Sequence, residues 1–558
     1  MQPMKKLLQW GMTLSAVIAS ALLLPQSSQA CTNLIVGKNA SVDGSVIVSY
    51  AADSHTLYGE LYHWAARDWE PGHMMDVYVW DSGEYKGQIP QVAHTYNVVG
   101  NMNEHQVCIT ETTWGGLEQL EGTEGLIDYG SLIYIALQRS KSAREAIDVM
   151  TGLVRDHGYC SSGETFTIAD KNEVWLMEMI GKGKGEKGAV WVATRIPDNA
   201  ITAHANQARI QKINFKDKEN WLYSKDVISF ARQKGLFKGK DADFSFQQVY
   251  NPYTFSGLRG CEARVWSYFN RFHKGMDQYT DLVMGYKPDA EPMPLYVVPD
   301  RKLSVADVQD MMRDHYEGTP MDMTKDAGAT YGVPYRWRPM NFKVDGKVYL
   351  NERAIATQQT GFVLVAQLRS NKPDLVGPVL WFGCDDANTT VFSPMYGCIT
   401  ESPLAFRVGN GSMTEFSWTS AFWINNWVAN MCYNKYDYMI RDIRPVQQEL
   451  EKGFFDNQAA VEARALEIEK SQGREAAVAY LTQYSAKCAN GATDRYRELA
   501  QYLIVKYIDG NVKREKNGHF ETENGMIVFP YQPGYSESYY KSIAEDNPKQ
   551  LIVPESCK

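Results

Sequence analysis

Cys31 is the residue whose type and place most plainly carry chemistry. It follows Ser28-Gln29-Ala30, a small-x-small site that closes a leader made of Lys5 and Lys6, an apolar run from Leu7 to Leu24, and Pro25. A positive start, an apolar core and a small-residue cleavage site are the parts of a secretory signal peptide. Gln9, Thr13 and Ser15 interrupt the run and no stop-transfer pattern follows, which argues against a stable membrane anchor. Cleavage after Ala30 makes Cys31 the first residue of an exported chain, periplasmic or extracellular. A first-position cysteine holds a thiol and a free α-amine on one residue. That amine titrates near roughly 7.7–8.0. It can take the thiol proton directly or through a water, so the nucleophile needs no separate histidine. The competing readings are an ordinary cysteine at a cleavage point and a lipid-bearing one, which would make a non-catalytic surface lipoprotein or binding protein. Ser28 stands where lipid processing wants a Leu-like residue, so the lipid reading is poor.

The elements around Cys31 must bring a partner to it. Thr32–Gly37 is strand-like, Asp43-Gly44 is a hairpin signal, and Ser45–Ser49 reads as the return strand. Asp53 lies just past that strand, on the end that the hairpin returns toward Cys31. Residues 130–155 and 301–316 carry helical apolar stripes, the second with Ser304 as a cap. Strands are predicted at 164–169, 174–180, 189–195 and 200–205, and strand-rich sequence covers 329–400. Helices dominate from Thr419 to about Tyr507, where Glu449, Glu451, Glu462, Glu467, Glu469 and Lys470 read as a solvated charged face. The proline-bearing tail after Gly510 reads as irregular. Gly183–Gly188 matches GxGxxG but leads into another strand, so it reads as a hairpin loop and not a dinucleotide site. Together these give one large α+β domain with a helical C-terminal elaboration: a leader at 1–30, a core at 31–430, and helices and tail at 431–558.

Composition closes off several functions. The 558 residues carry a net charge of −9 with no basic runs, a poor nucleic-acid binder. Nine cysteines without a CxxC and ten histidines without an HExxH give no metal site, and no cofactor is implied. Removing Cys31 leaves eight cysteines, which permits disulfides or buried free thiols. The expected partner is a small peptide or amide substrate; a homo-oligomer is compatible with the sequence.

The run Cys31-Thr32-Asn33-Leu34-Ile35-Val36-Gly37 through Asp43-Gly44-Ser45 resembles the mature start of the dipeptidase A/secernin family of N-terminal-nucleophile hydrolases. Further segments fit in order, among them Thr110-Glu111-Thr112-Thr113, Arg195-Ile196-Pro197-Asp198, Ala205-Asn206-Gln207-Ala208-Arg209 and Tyr316-Glu317-Gly318-Thr319-Pro320. The resemblance implies a four-layer αββα sandwich and hydrolysis of dipeptides, or alternatively of N-acyl amides or bile-acid conjugates. It implies that Cys31 attacks, that Asp53 holds its amine, and that Asn206 donates to the oxyanion. It puts Arg209 in position for a substrate carboxylate, and Glu111, Thr112 and Thr113 in position for the substrate amine or a second oxyanion donor. Relatives commonly carry an Arg-Asn pair before the acidic residue. Here Tyr50-Ala51 stands there, so the sequence lacks that cation beside the nucleophile.

Overall fold

A computed structural model describes residues 31–557; the expected leader and cleavage point lie outside them. The first hairpin forms as its sequence dictates. Strands β1 (Asn33–Val36) and β2 (Val46–Asp53) pair antiparallel, and Asp43 Oδ1 accepts the Ser45 N–H at 3.0 Å while Gly44 takes a positive φ of 77° at the turn. Every residue of both strands is buried. Such strands need cover on both faces, and two sheets with flanking helices supply it.

The other main strands of the two large sheets are β3 (Cys108–Gly115), β4 (Gly163–Ala169), β5 (Val174–Gly181), β6 (Ala189–Ile196), β7 (Ile201–His204), β8 (Thr360–Leu368), β9 (Val379–Cys384) and β10 (Ser393–Tyr396). One antiparallel sheet runs β7-β1-β2-β8-β9-β10, with a short edge strand at Tyr296–Val297 beside β7. The other runs β6-β5-β4-β3 and continues through short strands to His63–Trp64. β3 packs on β1 and β2, and β4 packs on β2, so the sheets meet at the hairpin that carries Cys31. Polar clips cross this seam. The His204 ring, on β7, bonds Thr112 Oγ1 and Thr167 Oγ1 of the opposite sheet, each at 2.7 Å, and Asn33 Nδ2 donates to the Glu111 carbonyl at 2.7 Å.

Helices α1 (Tyr129–Arg139) and α2 (Ala143–His157) cover β3 and β4. The single helix expected over 130–155 is broken, because Asn103 Nδ2 takes the carbonyls of Leu137 and Ser140 and Ser142 starts a new cap at the Glu145 N–H. α3 (Ala263–Phe272) covers β7, and α4 (Val305–Met311) covers β2 and β8. α4 is shorter than the 301–316 expected, although Ser304 does cap it, in a reciprocal box with Asp307.

α5 (Ala421–Asn434), α6 (Tyr436–Gln472) and α7 (Arg474–Tyr507) pack on one another and on β9 and β10. The boundary expected at residue 430 therefore falls inside a helix. The charged face expected on α6 is not wholly solvated. Glu451 is buried against Arg313 at 2.6 Å, and Glu462 against Arg369 at 2.7 Å. Helical periodicity cannot distinguish a solvated acid from one with a buried cation waiting on another element. The tail after Gly510 holds two small hairpins and α8 (Glu537–Asp546) instead of wholly irregular chain. Gly183–Gly188 is the loop joining β5 to β6, as expected. Eight cysteines, Cys31 among them, are free thiols.

Candidate active site

Backbone pairing places the thiol before any side chain acts. Thr32 and Ala51 exchange N–H···O bonds of 3.2 and 2.9 Å, which puts Cys31 beside the end of β2, where the Asp53 N–H reaches its sulfur. Cys31 Sγ lies 3.6 Å from Tyr50 Oη and 3.5 Å from Glu111 Oε1, and Tyr50 donates to that same carboxylate oxygen at 2.6 Å. The start of β1, the middle of β2 and the middle of β3 thus converge on one triangle of sulfur, phenol and carboxylate.

Burial, reinforced by the Glu111 and Asp53 carboxylates, pushes the Cys31 thiol well above its ordinary range, against the Asp53 N–H and the Tyr50 hydroxyl. At rest the sulfur is a thiol, and a thiol becomes a strong nucleophile only once a base takes its proton. Glu111 has a buried acidic neighbour. Glu164 pairs with Thr113 across β3 and β4, which makes it the diagonal neighbour of Glu111 on one face. Glu164 Oε1 accepts from Thr113 Oγ1 at 2.8 Å. Burial and the Glu111 charge drive Glu164 well up. Burial also raises Glu111, but hydrogen bonds from Tyr50, Glu164 and Cys31 oppose it. Two carboxyls in one dry site compete for a proton, and the stronger upward push falls on Glu164.

Two arginines brace the groups around the thiol. Arg353 pairs with Asp53, whose other oxygen accepts from Thr360 Oγ1 at 2.6 Å. Arg264, on α3, spends all five donors. Nη1 reaches the Cys31 carbonyl at 2.6 Å and Thr32 Oγ1 at 2.7 Å. Nη2 reaches the Ala205 carbonyl and Asn206 Oδ1 at 2.9 and 3.0 Å, and Nε reaches the Gly260 carbonyl at 2.8 Å. By taking Oδ1, Arg264 turns Asn206 Nδ2 toward the Thr113 carbonyl, which uses one of its two hydrogens. Asn206 sits at a φ of 65°, a left-handed conformation that Asn tolerates.

Asp53 and Glu111 lie beside Cys31, and Asn206 is linked to it through Arg264, whereas two expected substrate contacts are elsewhere. Arg209 is buried away from the cleft. Its guanidinium bonds Glu262 at 2.9 Å and the carbonyls of Ala203, Leu295 and Pro294, so it braces β7 and has no substrate-facing side. Thr112 points into the seam between the sheets toward His204, because neighbours on a strand face opposite ways and Glu111 takes the cleft side. Thr113 touches the site only through Glu164 and Asn206. Glu164, Arg264, Arg353 and Thr360 were missed. The one local signal was charge where a strand or helix is otherwise apolar, as at Glu164 and Arg264; register and tertiary contact supply the rest.

The site opens into a cleft of about 530 Å³. Its lining includes Cys31, Tyr50, Asp53, Glu111 and Phe362, together with Glu60, Asp81, Tyr62, Trp80 and Tyr134. The charged lining is acidic throughout. Among the described residues no cluster of three or more His, Cys, Asp or Glu could hold a metal, and no helix is long and apolar enough to cross a membrane.

Comparison with known sequences fits this geometry. The chain is 25% identical over 498 residues to a probable dipeptidase of Latilactobacillus sakei, covering 86% of this chain and 95% of that protein. It is 24% identical over 503 residues to probable dipeptidase B of Lactococcus lactis, covering 85% and 95%. It is 23% identical over 424 residues to dipeptidase A of Lactobacillus helveticus, covering 72% and 81%. The profile of peptidase family C69 matches residues 30–67 and 71–449, most of the chain. A buried thiol at the head of a hairpin, an acid-lined cleft and this match agree: the chain belongs to peptidase family C69 and is a peptidase, an enzyme that hydrolyses amide bonds.

Proposed function

We propose that the chain is an exported dipeptidase whose mature first residue, Cys31, is the nucleophile. The observation that carries this is the Cys31 sulfur 3.5 Å from the Glu111 carboxylate inside an acid-lined cleft. A carboxylate beside the nucleophile suits a substrate whose free α-amine is separated from the attacked carbonyl by a single carbon. The dipeptidase names of the relatives support the same substrate class. An acylase of bulky N-acyl amides would be served better by a dry apolar pocket.

In this mechanism the α-amine freed by cleavage takes the thiol proton as Sγ attacks the carbonyl. The same amine then protonates the departing amine of the second residue, leaving a thioester that water hydrolyses. The Asp53 carboxylate, fixed by Arg353 and Thr360, orients the amine. The unspent Asn206 Nδ2 hydrogen is the oxyanion donor, and Glu111 holds the substrate amine. Such a donor is worth roughly 3–4 kcal/mol. The two facing sheets with their helices are then the αββα sandwich of N-terminal-nucleophile hydrolases, with α5, α6, α7 and the tail as its elaboration.

The test is a dipeptide and N-acyl amino acid panel on secreted protein, with intact mass to fix the first residue. The wild type should start at Cys31 and cleave dipeptides, and Cys31→Ser should stay folded and lose nearly all activity. A lipid adduct, another first residue, or an active Cys31→Ser protein would overturn the mechanism. Cleavage of N-acyl amino acids with dipeptides left intact would replace the substrate class.

A further inference from the structure

The cleft holds more negative charge than one α-amine requires. Asp53 is neutralised by Arg353, and Glu111 faces the nucleophile. Glu60 and Asp81 remain, and their hydrogen-bond partners are neutral. Glu60 Oε1 accepts the Gly409 N–H at 2.7 Å, and Asp81 Oδ1 accepts the Tyr129 hydroxyl at 2.9 Å. Glu60 is partly buried, which raises its pKa, as expected for a carboxylate withdrawn from water. The Asp81 charge also bears on Glu111 and Glu164, so the acids act as one negative field.

Aromatic rings line the same space. Trp80 and Tyr134 lie 4.5 Å apart, Tyr62 and Trp80 4.9 Å apart at 75°, and Tyr62 and Tyr134 6.1 Å apart at 64°. Glu60 adds to burial in pushing the Tyr62 hydroxyl up to about 12, so its charge falls on this wall. Ring faces attract cations and pack against aliphatic stems. Carboxylates and ring faces around one cavity make a poor site for an anionic side chain and a good one for a cation on an apolar stem.

We propose that Glu60, Asp81 and the rings of Tyr62, Trp80 and Tyr134 form a subsite for a second positive charge, so that the preferred substrates are dipeptides with lysine or arginine as the N-terminal residue. This rests on the dipeptidase reading, in which Glu111 holds the α-amine next to the thiol. The side chain of that residue leaves the same Cα and has the rest of the cleft to occupy.

The experiment compares Lys-Ala, Arg-Ala, norleucine-Ala and Glu-Ala. Norleucine keeps the stem of lysine and removes the charge. kcat/KM is measured on the wild type, Glu60→Gln and Trp80→Leu, and Kd for each dipeptide is measured on Cys31→Ser with and without Glu60→Gln. Lysine and arginine should exceed norleucine by about ten-fold, a cation–π contact with a partly screened charge pair. Glu-Ala should be weakest, and Glu60→Gln and Trp80→Leu should each bring the lysine-to-norleucine ratio toward one. Norleucine-Ala equal to or better than Lys-Ala, or a ratio that survives both substitutions, overturns the subsite. If the wild type cleaves no dipeptide, the dipeptidase reading falls, and the Kd ratios on Cys31→Ser still decide the subsite.

Discussion

Tyr50→Phe isolates one hydroxyl that joins the Cys31 thiol to the Glu111 carboxylate. Tyr50 Oη donates to Glu111 Oε1 at 2.6 Å and lies 3.6 Å from Cys31 Sγ. A hydrogen bond to a charged group in a buried site is worth about 1.5–3 kcal/mol, a factor of roughly 10 to 100. The bond favours ionised Glu111, whose pKa burial already raises. Removing the hydroxyl therefore raises that pKa further, and Glu111 stays protonated to higher pH. A protonated Glu111 cannot pair the substrate α-amine. The expected result is an acidic limb of kcat/KM displaced to higher pH, with a loss of about 10- to 100-fold on that limb carried mainly by KM. At pH above both limbs the variant should recover toward the wild type. The assay is dipeptide hydrolysis across pH, with melting curves to confirm that the phenyl ring still packs on Phe362, 5.7 Å away between centroids. An unmoved acidic limb, or a loss equal at every pH and carried by kcat, would refute the link between Tyr50 and Glu111 ionisation.

Arg209→Met should cost about 3–5 kcal/mol of stability, because it strands Glu262 in a buried site, while KM for dipeptides in the protein that remains folded stays near the wild-type value. Urea unfolding with steady-state kinetics checks this, and a large rise in KM without loss of stability would return Arg209 to the substrate. His204 is held neutral between Thr112 and Thr167, with burial and then the Arg209 charge pushing its pKa down to about 3. Below its ordinary value of about 6.5 the unfolded chain takes a proton that the folded one refuses. Stability should therefore fall as pH drops from about 6.5 toward 3, by up to about 1.4 kcal/mol per pH unit from this group. His204→Gln should flatten that slope in urea titrations; an unchanged slope removes His204 as its source.

The hairpin was legible because its signals are local. Alternation, Asp43-Gly44 and strand length fix where residue 53 returns, so the Cys31–Asp53 end could be read directly. The Asn206 and Glu111 positions came through family resemblance; the structure sets Glu111 beside the thiol and joins Asn206 to the Cys31 carbonyl through Arg264. Thr112 failed for a reason that alternation could have flagged: if Glu111 faces the cleft, its neighbour on the strand does not. Arg209 failed because an arginine one turn from a site asparagine reads the same whether its acid is a ligand or Glu262, 53 residues away.

The sequence by itself determined the thiol at position 31, the hairpin beside it and the helical character of residues 419–507, since these depend on neighbours within a few residues. Tertiary structure decided which charges belong to the site. Arg264 and Arg353 lie 233 and 322 positions from Cys31, and Glu164 reaches Glu111 only through the register of β3 on β4. A charge in a strand or helix has no visible partner until the chain closes. In a dry interior the partner decides whether that charge is a brace, a base or a binding group, because there it cannot stand alone.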